Sequence, residues 1–203
     1  MGIKAVLPDC NTTFTVIHNG IETSRFYNKK NKRDQKSFIT IVSGAESSGR
    51  MLLKGVDLIL ENAAKNPNYT FTIIGCSKIS GYTGVLNNVI LLDKIDNEQL
   101  AEHLNRSKYY LQLSMSEGFG IALCEAMSCG CIPIVSNVGI MPEIIADTGY
   151  VLLKRNAELL NNLLKTITHE DNNMKSMKAA ERIREFFHIQ KREKALLDIL
   201  ASS

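Results

Sequence analysis

Ser116-Glu117-Gly118-Phe119-Gly120-Ile121-Ala122-Leu123-Cys124-Glu125-Ala126-Met127-Ser128-Cys129-Gly130 places two carboxylates with seven residues between them. One precedes a Gly-Phe-Gly turn and the other falls inside an apolar helical stretch. Glycines at a helix start let backbone N–H groups approach an anion, and the helix dipole favours negative charge there. Glu125 lies among Leu123, Cys124, Ala126 and Met127. A carboxylate in that setting needs hydrogen-bond donors to offset its desolvation. A ligand with phosphates and neighbouring hydroxyls, such as a sugar nucleotide, would satisfy both features.

Outward from this stretch, short apolar runs alternate with helical segments. Tyr109 to Met115 reads as the strand feeding the Glu117 loop, and Ile132-Pro133-Ile134-Val135-Ser136 as the strand leaving the helix. Upstream, strands are expected at Ser37 to Ser43, Tyr69 to Gly75 and Asn88 to Leu92. Helices are expected from Gly55 to Ala64, after a polar loop, and from Asn97 to Ser107. Downstream come a short helix from Pro142 and a strand at Tyr150 to Leu153. Such alternation of near-continuous apolar strands with helices predicts an α/β fold: a Rossmann-like, doubly wound parallel sheet covered on both faces. Ligands of such sheets bind at the carboxyl ends of the strands. Lys54, Gly75, Lys94 and Glu117 all fall on that side.

The ends differ from the middle. Residues 1–35 hold one expected strand, Phe14 to Ile17, and a turn at His18-Asn19-Gly20; residues 36–170 form the sheet domain; residues 171–203 are a helical extension. The chain has 203 residues, enough for a sizeable core, with 44% hydrophobic and 22% charged residues. A net charge of +3 without a dense basic run argues against nucleic acid as a partner. The most basic stretch, Lys29-Lys30-Asn31-Lys32-Arg33, reads as a solvated loop. No apolar run is long enough to span a bilayer, and the first residues lack signal-peptide features. Five cysteines without a paired framework suggest a reducing compartment. Cys124, Cys129 and Cys131 read as buried small hydrophobes, with no metal site expected.

Five segments together resemble the carboxyl-terminal, donor-binding half of a GT-B glycosyltransferase, of the retaining family with the Glu-x7-Glu motif (glycosyl transferases group 1). Val16-Ile17-His18-Asn19-Gly20-Ile21-Glu22 with Phe26 is similar to its interdomain linker. Lys54-Gly55-Val56-Asp57-Leu58-Ile59 resembles its K-G-v-d-l-l helix start. Glu117 to Gly130 resembles E-G-F-G-l-x-x-l-E-A-M-a-x-G, Pro133 to Ser136 continues it, and Val138 to Ile145 resembles v-G-G-x-P-E-i-i. The resemblance implies one half of a GT-B fold and transfer of a sugar from a nucleotide-diphosphate sugar with retention of anomeric configuration. It implies that Glu125 binds ribose hydroxyls and Glu117 sugar hydroxyls. The amides of Gly118, Phe119, Gly120 and Ile121 would hold phosphates, Lys54 and Arg50 would supply positive charge, and the backbone near Lys94 and Ile95 would hold the base. Fixed cations and amides of this kind stabilise a departing nucleoside diphosphate. No cofactor or metal is expected, and the chain contains no Asp-x-Asp.

Departures from the pattern are specific. Arg50 falls closer to the lysine than the family arginine does, Ile140 replaces the second glycine, and Leu113-Ser114 stand where a proline is common. Residues 1–13 are too short to be the amino-terminal acceptor domain, so the chain is expected to be half of a two-domain enzyme and inactive alone. The implied partners are the donor, the missing domain, and an acceptor glycan or lipid-linked glycan. The implied location is cytoplasmic, including a peripheral position at the inner membrane face. His18 reads as a linker residue and Glu143 as a helix-start acid. One competing reading is a free-standing sugar-nucleotide-binding module. Another, an epimerase-like enzyme, would require a Gly-x-Gly-x-x-Gly turn that Gly44 to Gly49 does not provide.

Overall fold

The structure, a computed structural model, describes residues 14–42, 47–79 and 86–202. Its sheet has six strands: β1 (Ser37–Ile41), β2 (Thr70–Ile74), β3 (Val89–Leu92), β4 (Tyr109–Gln112), β5 (Ile132–Ser136) and β6 (Tyr150–Leu152). They lie in the order β3-β2-β1-β4-β5-β6, and every pairing is parallel. The chain therefore winds outward from β1 to β3, returns to place β4 beside β1, and winds outward the other way. The reversal leaves a crevice between β1 and β4 at the carboxyl ends of the strands.

The described helices are α1 (Ser48–Lys54), α2 (Val56–Lys65), α3 (Asn97–Arg106), α4 (Ile121–Ser128), α5 (Met141–Ile145), α6 (Ala157–Ile167), α7 (Asn173–Phe186) and α8 (Ile189–Ser202). Strand residues alternate between two cores, as the two-residue period of a strand dictates. Phe38, Tyr109 and Ile134 face a core closed by Leu58 and Ile59 of α2 and Leu160 and Leu164 of α6. Ile39, Tyr110 and Val135 face a second core closed by Leu104 of α3, Leu123 and Met127 of α4, and Ile183 of α7. In the first core the Phe38 ring stacks on Phe71 and Tyr109 at 5.1 Å each. Cys124, Cys129 and Cys131 are fully buried in the second core, and the Cys131 thiol donates to the Leu104 carbonyl at 3.0 Å.

The parallel, doubly wound sheet predicted from the alternation is present; several local expectations are not. The segment Phe14 to Ile17 is not a strand. The linker is tied instead through Ile21, whose N–H donates to the Phe187 carbonyl at 2.7 Å while its carbonyl accepts from the Ile189 N–H at 3.1 Å. The expected polar loop before Gly55 contains α1, capped by the Ser47 side chain, which accepts from the Arg50 N–H. The helical extension expected over residues 171–203 breaks at Phe187 into α7 and α8. Phe187 is buried in the second core, whereas Phe186 and Leu197 are exposed. Residues 171–187 thus complete a core layer rather than extend from it, and α8 alone stands at the surface. Lys29 pairs with Glu102 and Arg33 donates to the carbonyls of Cys129 and Gly130, so the basic run is not simply a solvated loop. The expectations for residues 1–13, for the strand end at Ser43 and for Gly44 to Glu46 lie outside the described residues. Among those residues, no helix is long and apolar enough to cross a membrane.

Candidate functional site

Gly55 fixes the floor of the site. It ends α1 and opens α2 with a left-handed φ of 74°. A Cβ there would meet the Leu113 Cβ at 2.6 Å, so only glycine lets α1 lie this close to the end of β4. The Met115 N–H donates to the Leu53 carbonyl at 2.8 Å and locks the two segments together. Lys54, the last residue of α1, thereby reaches Glu117 in the loop after β4, with Nζ donating to Oε2 at 3.0 Å. The same oxygen accepts from Gln112 Nε2 at 3.0 Å and Ser114 Oγ at 3.3 Å. Among the described residues all three donors go to Oε2 and leave Oε1 available. Gln112 and Ser114 are buried, so the carboxylate rests on a rigid polar support.

After Glu117 the chain turns into α4. Gly120 takes φ 90° at the helix start, where any other residue would be strained, while a Cβ on Gly118 would meet open space. Gly139, in the loop after β5, packs so closely that a Cβ would lie 2.8 Å from the Glu117 carbonyl oxygen. The Phe119 ring sits 6.0 Å from His18 and 5.8 Å from Phe187, anchoring the turn to the linker. The helix start faces a cavity of about 400 Å³ at the carboxyl ends of β1 to β4. Lys54, Ile95, Gln112, Glu117, Gly120 and Ile121 line it, with Ile41, Ile74 and Leu100 forming apolar wall.

Glu125 is one helical turn past Ile121, on the same face of α4. Burial pushes its carboxyl up to about 7, with Arg25 acting in the opposite direction. Unlike Glu117, it has no hydrogen-bond donor among the described residues. A half-buried carboxylate without donors is costly when ionised, and two adjacent hydroxyls would supply what is missing.

The structure brings together Lys54, Glu117, Gly120, Ile121 and Ile95 around one cavity, with Lys94 beside them. Gly118, Phe119 and Glu125 belong to the same loop and helix but do not line it. Arg50, one turn before Lys54 on α1, is exposed and is not among the residues that line the cavity. Gln112 and Arg25 were missed by sequence reasoning. Gln112 had a signal, as the one amide in an otherwise apolar strand; Arg25, from the distant linker, had none.

The profile of the family described as Glycosyl transferases group 1 matches residues 24–185. The chain is 24% identical over 155 residues to the GDP-mannose:cellobiosyl-diphosphopolyprenol alpha-mannosyltransferase of Xanthomonas campestris, covering 72% of this chain and 40% of that protein. It spans 44% of a Methanocaldococcus jannaschii glycosyltransferase, so it covers less than half of these relatives. Its fold is similar to that of Anabaena HepE, solved with UDP and glucose, at a TM-score of 0.75 and 16% identity, covering 93% of this chain and 57% of that one. It is also similar to the C-terminal domain of a glycosyl transferase group 1 family protein from Francisella tularensis, with a TM-score of 0.63 and 18% identity, covering 84% of this chain and all of that one.

Proposed function

The chain belongs to the glycosyl transferases group 1 family, and from that premise we propose that it is the donor-binding half of an enzyme that moves a sugar from a nucleotide-diphosphate sugar to an acceptor glycan with retention. The observation that carries this reading is the contrast within the motif: Glu117 is held by Lys54, Gln112 and Ser114, whereas Glu125 is half-buried with no hydrogen-bond donor among the described residues. Glu125 accepts from the two ribose hydroxyls. The diphosphate lies against the amino end of α4, where unpaired N–H groups and the helix dipole favour anions. The base occupies the apolar wall by Ile95 and Leu100. Glu117 Oε1 receives sugar hydroxyls and orients the anomeric carbon.

As the sugar–phosphate bond breaks, charge develops on the departing diphosphate. The Lys54 ammonium and the α4 amides stabilise it without reorganisation, each such group contributing roughly 3 kcal/mol. Glu117 Oε2 already accepts three hydrogen bonds, which fix the carboxylate in place. Glu117 is therefore suited to positioning the sugar, the role that a retaining reaction asks of it. No metal enters this scheme. The acceptor and its binding domain belong to the part of the enzyme beyond this chain.

Calorimetric titration of the chain and its Glu125→Ala variant with UDP, GDP and ADP tests the reading. One nucleotide should bind, and the variant should lose more than about 1 kcal/mol through the ribose contacts. Equal binding of that nucleotide by both proteins would overturn the assignment of Glu125.

A further inference from the structure

The opposite end of the sheet carries a second cavity, of about 570 Å³. It lies before β1 and β4, where Lys108 immediately precedes β4 and Asn173 opens α7. Four cations line it: Lys30, Lys32, Arg33 and Lys108. No acidic side chain is among its lining residues.

Lys108 is only 3% exposed. Among the described residues its ammonium has one hydrogen-bond partner, the neutral Asn173 Oδ1 at 3.1 Å, and no carboxylate within ion-pair distance. Burying an ammonium on a neutral partner leaves much of its desolvation unrecovered. Arg33, a like charge, adds repulsion, and Asp171 is the one acid whose charge acts on Lys108 in the favourable direction. Arg33 is spent on the carbonyls of Cys129 and Gly130 and on Asn28 Oδ1, which fixes its guanidinium at the cavity wall. Lys30 holds a left-handed φ of 56°, supported by its N–H donating to Asn28 Oδ1 at 2.9 Å. Neither Lys30 nor Lys32 forms an ion pair among the described residues. At the start of α7, Asn172 turns its side chain inward to Tyr109 and Ile167, and the Asn173 N–H donates to Asp171 Oδ1 at 3.1 Å.

One buried lysine and one fixed arginine, with two exposed lysines at the rim, match an anion of high charge density. The volume suits a small molecule. The deep position of Lys108 puts its ammonium out of reach of a flat anionic surface. We propose that this cavity binds a small soluble ligand through a phosphate or pyrophosphate group, at a site separate from the donor cavity. Lys108 holds the phosphate oxygens beside the fixed positive charge of Arg33, and Lys30 and Lys32 close over the anion.

Inorganic pyrophosphate is the probe, and the methyl group of Met177, which lines the cavity, is the reporter. The chain is labelled with [methyl-13C]methionine, and the Met177 signal is assigned by its loss in Met177→Leu. Pyrophosphate should shift that signal saturably in the submillimolar range. Lys108→Gln and, separately, the double variant Lys30→Gln/Lys32→Gln should each weaken binding by about tenfold, and added salt should weaken it further. A Met177 signal that stays still across a millimolar titration, or that moves equally in the wild type and the double variant, overturns the proposal. The double variant alters only exposed side chains, so it decides the matter even where Lys108→Gln fails to fold.

Discussion

Glu117 and Glu125 share one loop and helix yet stand in opposite electrostatic settings. Glu117 meets an ammonium, an amide and a hydroxyl supplied by α1 and β4, so its charge is supported by the fold itself. Glu125 is pressed into the second core with a distant arginine as its main electrostatic relief, and its carboxyl rises to about 7. The first acid is therefore part of the architecture, positioned before any ligand arrives. The second has no donor among the described residues, so its ionised form carries a desolvation cost that donating hydroxyls would offset. Removing support should thus destabilise the first half of the motif, while removing charge should stabilise the second.

The largest effect is expected at Gly55, where the support of Glu117 begins. Gly55→Ala adds a Cβ against Leu113 and forces an L-residue into φ 74°. Left-handed strain and overpacking together should cost about 3 kcal/mol in urea denaturation. Because Lys54 and the β4 loop move together, nucleotide binding should fall as well. A cost below about 1 kcal/mol would mean that α1 shifts freely, and that Glu117 is not held by the architecture.

Next in size is Glu125→Gln. Below the ordinary carboxyl value of 4.5 the side chain is protonated both folded and unfolded. Between there and about 7 the folded chain keeps the proton and the unfolded chain releases it, so stability falls as pH rises. The loss is complete above about 7, where the folded form is ionised too. Glutamine removes this dependence. Allowing for the partial exposure of the side chain, the variant should gain roughly 1–2 kcal/mol at pH 8 and nothing at pH 4. Chemical denaturation at both values measures it; an equal change at both would show that packing, not charge, governs this position.

Lys54→Met tests the other half at smaller scale. The Lys54 and Glu117 side chains are about one-fifth exposed, at 20% and 19%, so the pair is only partly screened. Losing it should cost about 1 kcal/mol of stability, with Gln112 and Ser114 still holding the carboxylate. If the ammonium serves the phosphates, as proposed, affinity for a nucleoside diphosphate should fall more than affinity for the nucleoside. An equal loss for both ligands would remove Lys54 from that role.

Much of this was legible in the chain because parallel sheets write their strands as continuous apolar runs. Ile132 to Ser136 coincides with β5, and the Glu117–Gly130 stretch gives the loop and α4 as expected. What escaped was set by contacts between distant segments. Phe14 to Ile17 has strand-like residues but pairs with no strand of the sheet; Ile21 ties the linker to Phe187 and Ile189 instead. Phe187 falls within the expected helical extension, yet it sits between α7 and α8 with its ring against Phe119 and His18. α1 was hidden because its seven residues bury nothing, so no periodic apolar signal marks them. In the site, glutamates and glycines were visible through spacing, whereas Arg25 acts on Glu125 only because the fold returns the linker to α4.

The smallest effect on stability, and the sharpest on function, is expected between the two acids, at Gly118. A Cβ there meets no heavy atom within 4 Å, and its backbone does not need the left-handed region that Gly120 occupies at φ 90°. Gly118→Ala should therefore leave stability within about 0.5 kcal/mol, with a slight gain from the less flexible unfolded chain. The same open space is where a diphosphate would approach the backbone at the start of α4. A methyl group there should push the anion away from the N–H groups and weaken nucleotide binding by several-fold in calorimetry, roughly 1 kcal/mol. A stable variant with weakened binding separates the two reasons for a glycine in this turn, since Gly120 serves the chain and Gly118 serves the ligand. Unchanged affinity would place the phosphates elsewhere along the cavity and leave Lys54 as their main contact.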